Sequence, residues 1–219
     1  MEFFESNTLV VKNYYFQWNL TNDQGTNPQS GYSSKIFTDL AMDWVGAQEQ
    51  PWFLWLAYNA PHTPFHSPPS IMHNQGELAN YSDGMDPMPY YLAAIEAMDF
   101  QIGRLLNGIT QEERDNTVII FMGDNGTPNE VGQSPYAGNA VKGSLYQGGI
   151  NVPLFVSGKG VQRTGNDYNL LTSTDLFSTI AQLAGGSSTE IHDSKSFKEL
   201  LTINDGQRAF QYSEMESPN

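Results

Sequence analysis

Asp124, Asn125 and Lys142 are the residues of this chain best equipped to act on an anion. Asp124 and Asn125 offer adjacent hard oxygen atoms, a carboxylate and an amide carbonyl, which suit Ca²⁺ or Mg²⁺ rather than a metal that prefers sulfur or nitrogen. Lys142 brings a compact positive charge in a glycine-bounded segment, able to meet an oxyanion as a point charge. Asp-Asn-Gly at 124–126 is also a strong turn signal, because Asn and Gly accept positive φ. A tight hairpin needs a second strand directly after Gly126, whereas the next strand-like run is 152–156. Both readings of the tripeptide stay open on pattern alone. His62, set between Pro61 and Pro64, is a further candidate for proton chemistry, with a plain surface-loop reading beside it.

The elements that must carry these residues follow from periodicity. The apolar run 118–121 reads as a buried strand that breaks at Gly123, so Asp124 and Asn125 sit at its carboxyl end, where open α/β sheets build ligand sites. The run 52–58 is short, continuous and aromatic, which predicts a strand buried on both faces. The two prolines after it stiffen the loop that presents His62. Ile36, Phe37, Leu40, Ala41, Trp44 and Val45 recur at helical spacing, with Ser33 or Ser34 available as cap. Tyr91, Ile95, Met98, Ile102 and Leu105 mark a second amphipathic helix, closed by Gly108. A third carries Leu176, Ile180 and Leu183, with Asp175 or Thr174 as cap and Gly185 as stop.

Residues 1–30 read as an irregular strand or hairpin followed by a turn-rich loop, and 67–88 as a long exposed loop. Short strands are expected at 170–172 and 208–212, and a helical turn around 197–201. His66, His73 and His192 are assigned to the surface, and Trp44, Trp52 and Trp55 to the core. Alternating helices and short buried strands give an α/β layer structure with a mostly parallel sheet.

The bulk numbers bound the partners. The 219 residues carry a formal charge of −14, which argues against nucleic acid or an anionic membrane as partner. An anionic substrate must then be attracted locally, by a metal and a few cations. There is no cysteine, so disulfides are excluded. No apolar run reaches transmembrane length, and 1–5 lacks the basic-then-apolar start of a signal peptide. Asn19, Asn80 and Asn125 each fit the glycosylation pattern, which arises often by chance.

Four stretches resemble the sulfatase family of the alkaline-phosphatase superfamily: WFLWLAYNAPHTPFHSPP, VIIFMGDNG, VKGSLYQGGINVPLFV and LLTSTDLFSTIAQLAG. They occur in the family's order. The resemblance implies a partial alkaline-phosphatase-like sandwich, with a mostly parallel central sheet flanked by helices, and a single partial catalytic domain over 1–219. It implies hydrolysis of a sulfate monoester on a small molecule or carbohydrate. Asp124 and Asn125 would form half of a Ca²⁺ shell, Mg²⁺ being the alternative. Lys142 would contact the sulfate and the leaving oxygen, and His62 the sulfate or the leaving group. It also favours a periplasmic or secreted location, and it says nothing of oligomeric state.

The family's nucleophile is a formylglycine made in a Cys/Ser-x-Pro-x-Arg motif, and this chain departs from it. Ser67-Pro68-Pro69-Ser70 begins in the same way, but Ile71 stands where arginine is required. The upstream aspartate pair of the metal shell is also without counterpart. Met122-Gly123 and Gln147 are smaller differences near the pocket. Two rivals remain: a phosphatase or phosphodiesterase of the same superfamily, which would carry His at position 125 for Zn²⁺ or Mn²⁺, and a non-catalytic binder of sulfated glycans or anions.

Overall fold

The computed structural model describes residues 5–6, 15–187, 190–206 and 208–215. The chain forms two compact units, Met1–Gln111 and Glu112–Asn219. The first opens with an antiparallel three-stranded sheet of β1 (Glu5–Ser6), β2 (Gln17–Asn22) and β3 (Gly25–Ser30). The stretch expected as a turn-rich loop thus supplies a strand. Asn22 faces Gly25 across a two-residue turn, and Gly25 takes φ 115°, a left-handed conformation that glycine adopts without Cβ strain.

Helices α1 (Ser33–Gly46) and α2 (Met88–Gly108) pack against each other. Their interface is pinned where Asp39 accepts from Lys35 on its own helix and from Arg104 of α2. The buried stripe of α2 is Tyr90, Ala93, Ala94, Ala97 and Gln101, one residue off the predicted stripe of larger side chains, which is half-buried. Alanine at the contact lets the helix backbone approach closely, so the large side chains fill the flanks. Neither expected cap is used. Tyr32 caps α1 without a side-chain bond, and Ser33 is spent on Asn59. Tyr15, Tyr32, Ala60, Met72 and Ala97 form the core of this unit.

In the second unit, after the short α3 (Gln111–Asp115), β4 (Val118–Met122) pairs antiparallel with β5 (Leu154–Gly158). Between them lies α4 (Gln147–Ile150). Helix α5 (Asp175–Leu183) and the small hairpin of β6 (Glu190–Ile191) and β7 (Ser194–Lys195) follow. The expected turn at 197–201 is present as a 3-10 helix, Lys198–Leu201. With Phe197, it builds a core to which Leu154, Val156, Leu171, Leu176 and Leu183 contribute.

The α/β class holds, but strand pairing departs from expectation. Every ladder among the described residues is antiparallel. Residues 52–58 pair with no strand among the described residues, and their exposure alternates. Trp55, expected in the core, is 73% exposed. The predicted strands at 170–172 and 208–212 do not form either. Arg208 is drawn instead to Asp175, which is no cap: it is a buried pin that accepts the N–H groups of Thr172 and Lys195 and pairs with the Arg208 guanidinium. No helix among the described residues is long and apolar enough to cross a membrane.

Candidate active site

Strand β4 ends at Met122, and the next backbone bonds decide what its end presents. Gly123 N–H donates to Pro153 O at 3.0 Å, extending the β4–β5 ladder by one step. Gly126 N–H donates to Gly149 O at 3.1 Å, and Lys142 N–H to Thr127 O at 3.0 Å. Asp124 and Asn125 therefore ride a loop tied on one side to α4 and on the other to the segment bearing Lys142. A Cβ on Gly126 would lie 2.1 Å from Gly148 O and 2.7 Å from Gly149 Cα. A Cβ on Gly149 would meet Ser144 O at 2.2 Å and Val141 O at 2.8 Å. Three backbone segments cross here at distances only glycine permits, which explains why a long connection holds a defined shape without regular secondary structure.

The side chains at this crossing are exposed. Lys142 follows the buried Val141, which anchors its backbone while the ammonium stays in solvent. Among the described residues the Asp124 carboxylate and the Lys142 ammonium have no hydrogen-bond or ion-pair partner, and they do not pair with each other. Asn125 differs: its Nδ2 donates to Gly126 O at 2.9 Å. That bond commits the amide nitrogen to the backbone and leaves Oδ1 as the free atom beside Asp124. The donor set is thus two hard oxygens, which fits Ca²⁺ or Mg²⁺ and gives two of the roughly 6–8 oxygens that Ca²⁺ takes. No cluster of three or more acidic, His or Cys side chains stands ready for a metal among the described residues. Gln147 is held by a bond from Asn151 at 2.9 Å.

His62 belongs to the first unit. Its ring is exposed, and its Nδ1 lies 2.7 Å from Thr63 O. A carbonyl only accepts, so Nδ1 carries the proton and Nε2 faces solvent with its lone pair. The backbone of the loop is held by Tyr15, whose hydroxyl donates to Asn59 O at 2.8 Å and His62 O at 2.7 Å. Sequence reasoning missed Tyr15, because a phenol more than forty residues upstream leaves no local signal.

Two histidines assigned to the surface are buried. His66 is 7% exposed: its ring stacks on Tyr15 at 3.6 Å, Nδ1 donates to Pro64 O and Nε2 accepts from the Tyr32 hydroxyl. Burial lowers its pKa to about 4, against the Pro64 hydrogen bond. The same burial raises Tyr32 to about 12 and pushes Tyr15 higher still. His73, 8% exposed, sits in the loop that Glu96 pins to α2 by accepting from Asn74 N and Gln75 Nε2. For His66, stacking partners and a complementary donor and acceptor stabilise a buried neutral imidazole where composition predicts a wet loop.

The fold is that of the alkaline-phosphatase-like α/β hydrolases. A solved structure of Ps i-CgsB is similar with a TM-score of 0.70 and 25% identity, over 86% of this chain and 42% of its own. The putative sulfatase yidJ from Bacteroides fragilis gives a TM-score of 0.71 at 18% identity, over 91% of this chain and 48% of its own, a likeness of fold alone. The sulfatase family model matches residues 1–187, and this chain belongs to the sulfatase family. The uncharacterized sulfatase YdeN of Escherichia coli is 30% identical over 177 residues, 78% of this chain and 31% of that protein. An arylsulfatase of Klebsiella aerogenes is 25% identical over 80% of this chain and 56% of its own length. The chain thus spans less than two thirds of these relatives. Their names mark a family of sulfuric ester hydrolases.

Proposed function

We propose that this chain is the part of a sulfatase catalytic domain, over 1–219, that binds a sulfate monoester and handles its leaving group. The observation that carries the reading is the glycine crossing, where Asn125 Oδ1 and the Asp124 carboxylate are left free on a loop whose backbone is bonded to the segment of Lys142. Asp124 and Asn125 would hold a share of a Ca²⁺ ion, with Mg²⁺ as the alternative. A cation bound there supplies charge neutralisation for the ester oxygens.

Lys142 supplies a positive charge to a sulfate oxygen and to the leaving oxygen as the S–O bond breaks. Its Nζ is unencumbered among the described residues, so no existing ion pair must first be broken. His62 has its proton on Nδ1, so neutral Nε2 can only accept. It hydrogen-bonds a sulfate oxygen, or protonates the leaving alkoxide, only as the imidazolium. The formylglycine precursor motif of the family has no counterpart among this chain's residues, and lack of a covalent nucleophile costs turnover roughly a million-fold. The reading therefore assigns this chain binding and positioning, with feeble turnover by itself.

The substrate class follows the neighbours. One Ps i-CgsB structure is described in complex with k-i-k-neocarrahexaose, and BT4656 in complex with its substrate D-glucosamine-2-N,6-O-disulfate. Both favour a sulfated carbohydrate here. A periplasmic or secreted location fits the same family reading.

The test compares aryl sulfate and aryl phosphate hydrolysis by this chain and by the complete gene product, each with Ca²⁺ and with Mg²⁺. Lys142→Met in the complete product is expected to lower aryl sulfate turnover by about 10²–10³-fold and to leave the melting temperature unchanged. Preference for phosphate would favour the phosphatase rival. Binding of sulfated glycan without turnover by the complete product would favour the non-catalytic one. Full turnover by this chain alone would refute the division of labour.

A further inference from the structure

Tyr15 makes contacts that a packing residue does not need. Its side chain is 1% exposed, and its single hydroxyl proton is shared between two carbonyl oxygens, those of Asn59 and His62. These residues are the two ends of one turn, closed by His62 N–H donating to Asn59 O at 2.9 Å. The ring of Tyr15 also stacks on His66, on the far side of His62 in sequence. One residue therefore grips the loop before His62, at its backbone, and after it. Ser33 completes the arrangement: its N–H donates to Tyr15 O at 2.8 Å, and its Oγ to Asn59 Oδ1 at 3.1 Å. The start of α1, Tyr15 and the His62 turn are thereby joined into one hydrogen-bonded body.

We infer that Tyr15 is the positioning residue of His62, holding the His62 backbone so that Nδ1 stays on the Thr63 carbonyl and Nε2 stays aimed outward. The inference rests on the reading of His62 as the residue that meets the sulfate or the leaving group. It adds how that imidazole is kept in a single tautomer on an otherwise exposed loop. An exposed histidine costs little to rotate, and a ring free to turn exchanges its outward nitrogen between donor and acceptor roles. Fixing the His62 carbonyl fixes the peptide plane as far as the Thr63 Cα, and Pro64 restricts the Thr63 backbone rotation that aims the carbonyl on which Nδ1 depends.

The experiment uses the full chain and the complete gene product, with Tyr15→Phe, His62→Asn and the double variant. The ¹⁵N shifts of the four histidine rings are read together with aryl sulfate kinetics. Tyr15→Phe keeps the stack on His66 and removes only the hydroxyl. The His62 ring is expected to change from one tautomer to an average of two, with the His73 and His192 signals unmoved. In the complete product kcat falls about tenfold, the loss expected of one hydrogen bond, with KM changed less. In the His62→Asn background, Tyr15→Phe adds less than a twofold effect, because the two residues act as one. Placing 4-aminophenylalanine at position 15 restores an N–H donor on the same ring, and is expected to restore the single tautomer; it also serves if Tyr15→Phe does not fold.

A His62 ring unmoved in a folded Tyr15→Phe variant overturns the inference. So does an equal loss of rate in both backgrounds. If instead the ring responds as expected but His62→Asn loses no turnover, positioning stands and the catalytic role of His62 falls.

Discussion

Acid should begin to weaken the first unit through His66 at a pH above the carboxylate range. The ring lies among groups that carry no compensating charge: Tyr15 and Tyr32, both neutral at acidic pH, the edge of Phe16 and the Pro64 carbonyl. Desolvation therefore dominates, lowering its pKa from 6.5 to about 4 against the Pro64 bond. Above pH 6.5 the ring is neutral in both folded and unfolded chains, and stability does not respond. Between pH 6.5 and 4 the unfolded chain takes up a proton that the folded chain refuses, so stability falls as pH falls. Two and a half pH units at about 1.36 kcal/mol each amount to roughly 3 kcal/mol, levelling off below pH 4. Against a typical stability of about 5–15 kcal/mol, that is a large share.

Carboxylates act later. Burial raises Asp39, but the hydrogen bonds from Lys35 and Arg104 outweigh it. The Asn74 and Gln75 bonds hold Glu96 below its usual range. Their contributions begin to fall only as pH approaches the ordinary carboxylate values of 3.8 and 4.5, which leaves the upper part of the window to His66. The assay is urea denaturation at half-unit steps from pH 7 to 4, comparing the wild type with His66→Phe, which keeps an aromatic ring against Tyr15. The variant starts less stable, having lost two hydrogen bonds, and its stability is expected to be flat where the wild type declines. Parallel slopes in that window would refute the argument, since they would mean that His66 takes its proton inside the fold. Ring ¹⁵N shifts provide a second reading, with His66 still neutral at pH 5.

Two further outcomes test the second unit. Gly126→Ala drives a Cβ into the Gly148 carbonyl and the Gly149 backbone, which cannot yield as a side-chain tip would. A stability loss of about 1–3 kcal/mol and weakened Ca²⁺ binding by calorimetry are expected, and an unaltered melting curve with unaltered binding would dismiss the crossing as a constraint. Asp175→Asn turns one carboxylate oxygen into a donor. Each oxygen now accepts both a backbone N–H and the Arg208 guanidinium, so either orientation of the amide sets donor against donor. The expected loss is about 3–5 kcal/mol in urea denaturation, and one below about 1 kcal/mol would refute the pin.

What was legible in the sequence was whatever short range decides. The three main helices follow from 3.6-residue periodicity, and β4 and β5 from apolar runs bounded by glycine, each within a few residues of where it forms. Adjacency made Asp124 and Asn125 visible as an oxygen pair. The glycines around Lys142 pointed to a tight segment, and Gly126, Gly148 and Gly149 show why: their missing Cβ atoms are the spaces through which the chain crosses. The resemblance to sulfatases rested on the same stretches, and the family match covers them.

What was not legible depends on partners distant in sequence. A continuous apolar run at 52–58 says that a strand is favoured, but only a neighbour can bond it, and none does among the described residues. His66 and His73 look like surface residues because their loop is rich in proline and polar groups. His66 is buried because Tyr15 and Tyr32 reach it from elsewhere, His73 because Glu96 pins its loop through Asn74 and Gln75, and Asp175 looked like a cap until Arg208 arrived. For His66 and Asp175 a polar residue inverts its expected environment by finding a complementary group across a long separation. The His62 turn follows the same rule: its prolines predict stiffness from local chemistry, whereas its aim depends on a tyrosine hydroxyl that no local pattern announces. A search for active-site residues in this fold should therefore proceed from a candidate's backbone carbonyl outward, asking which distant donor holds it, because that donor decides whether an exposed imidazole has one orientation or many.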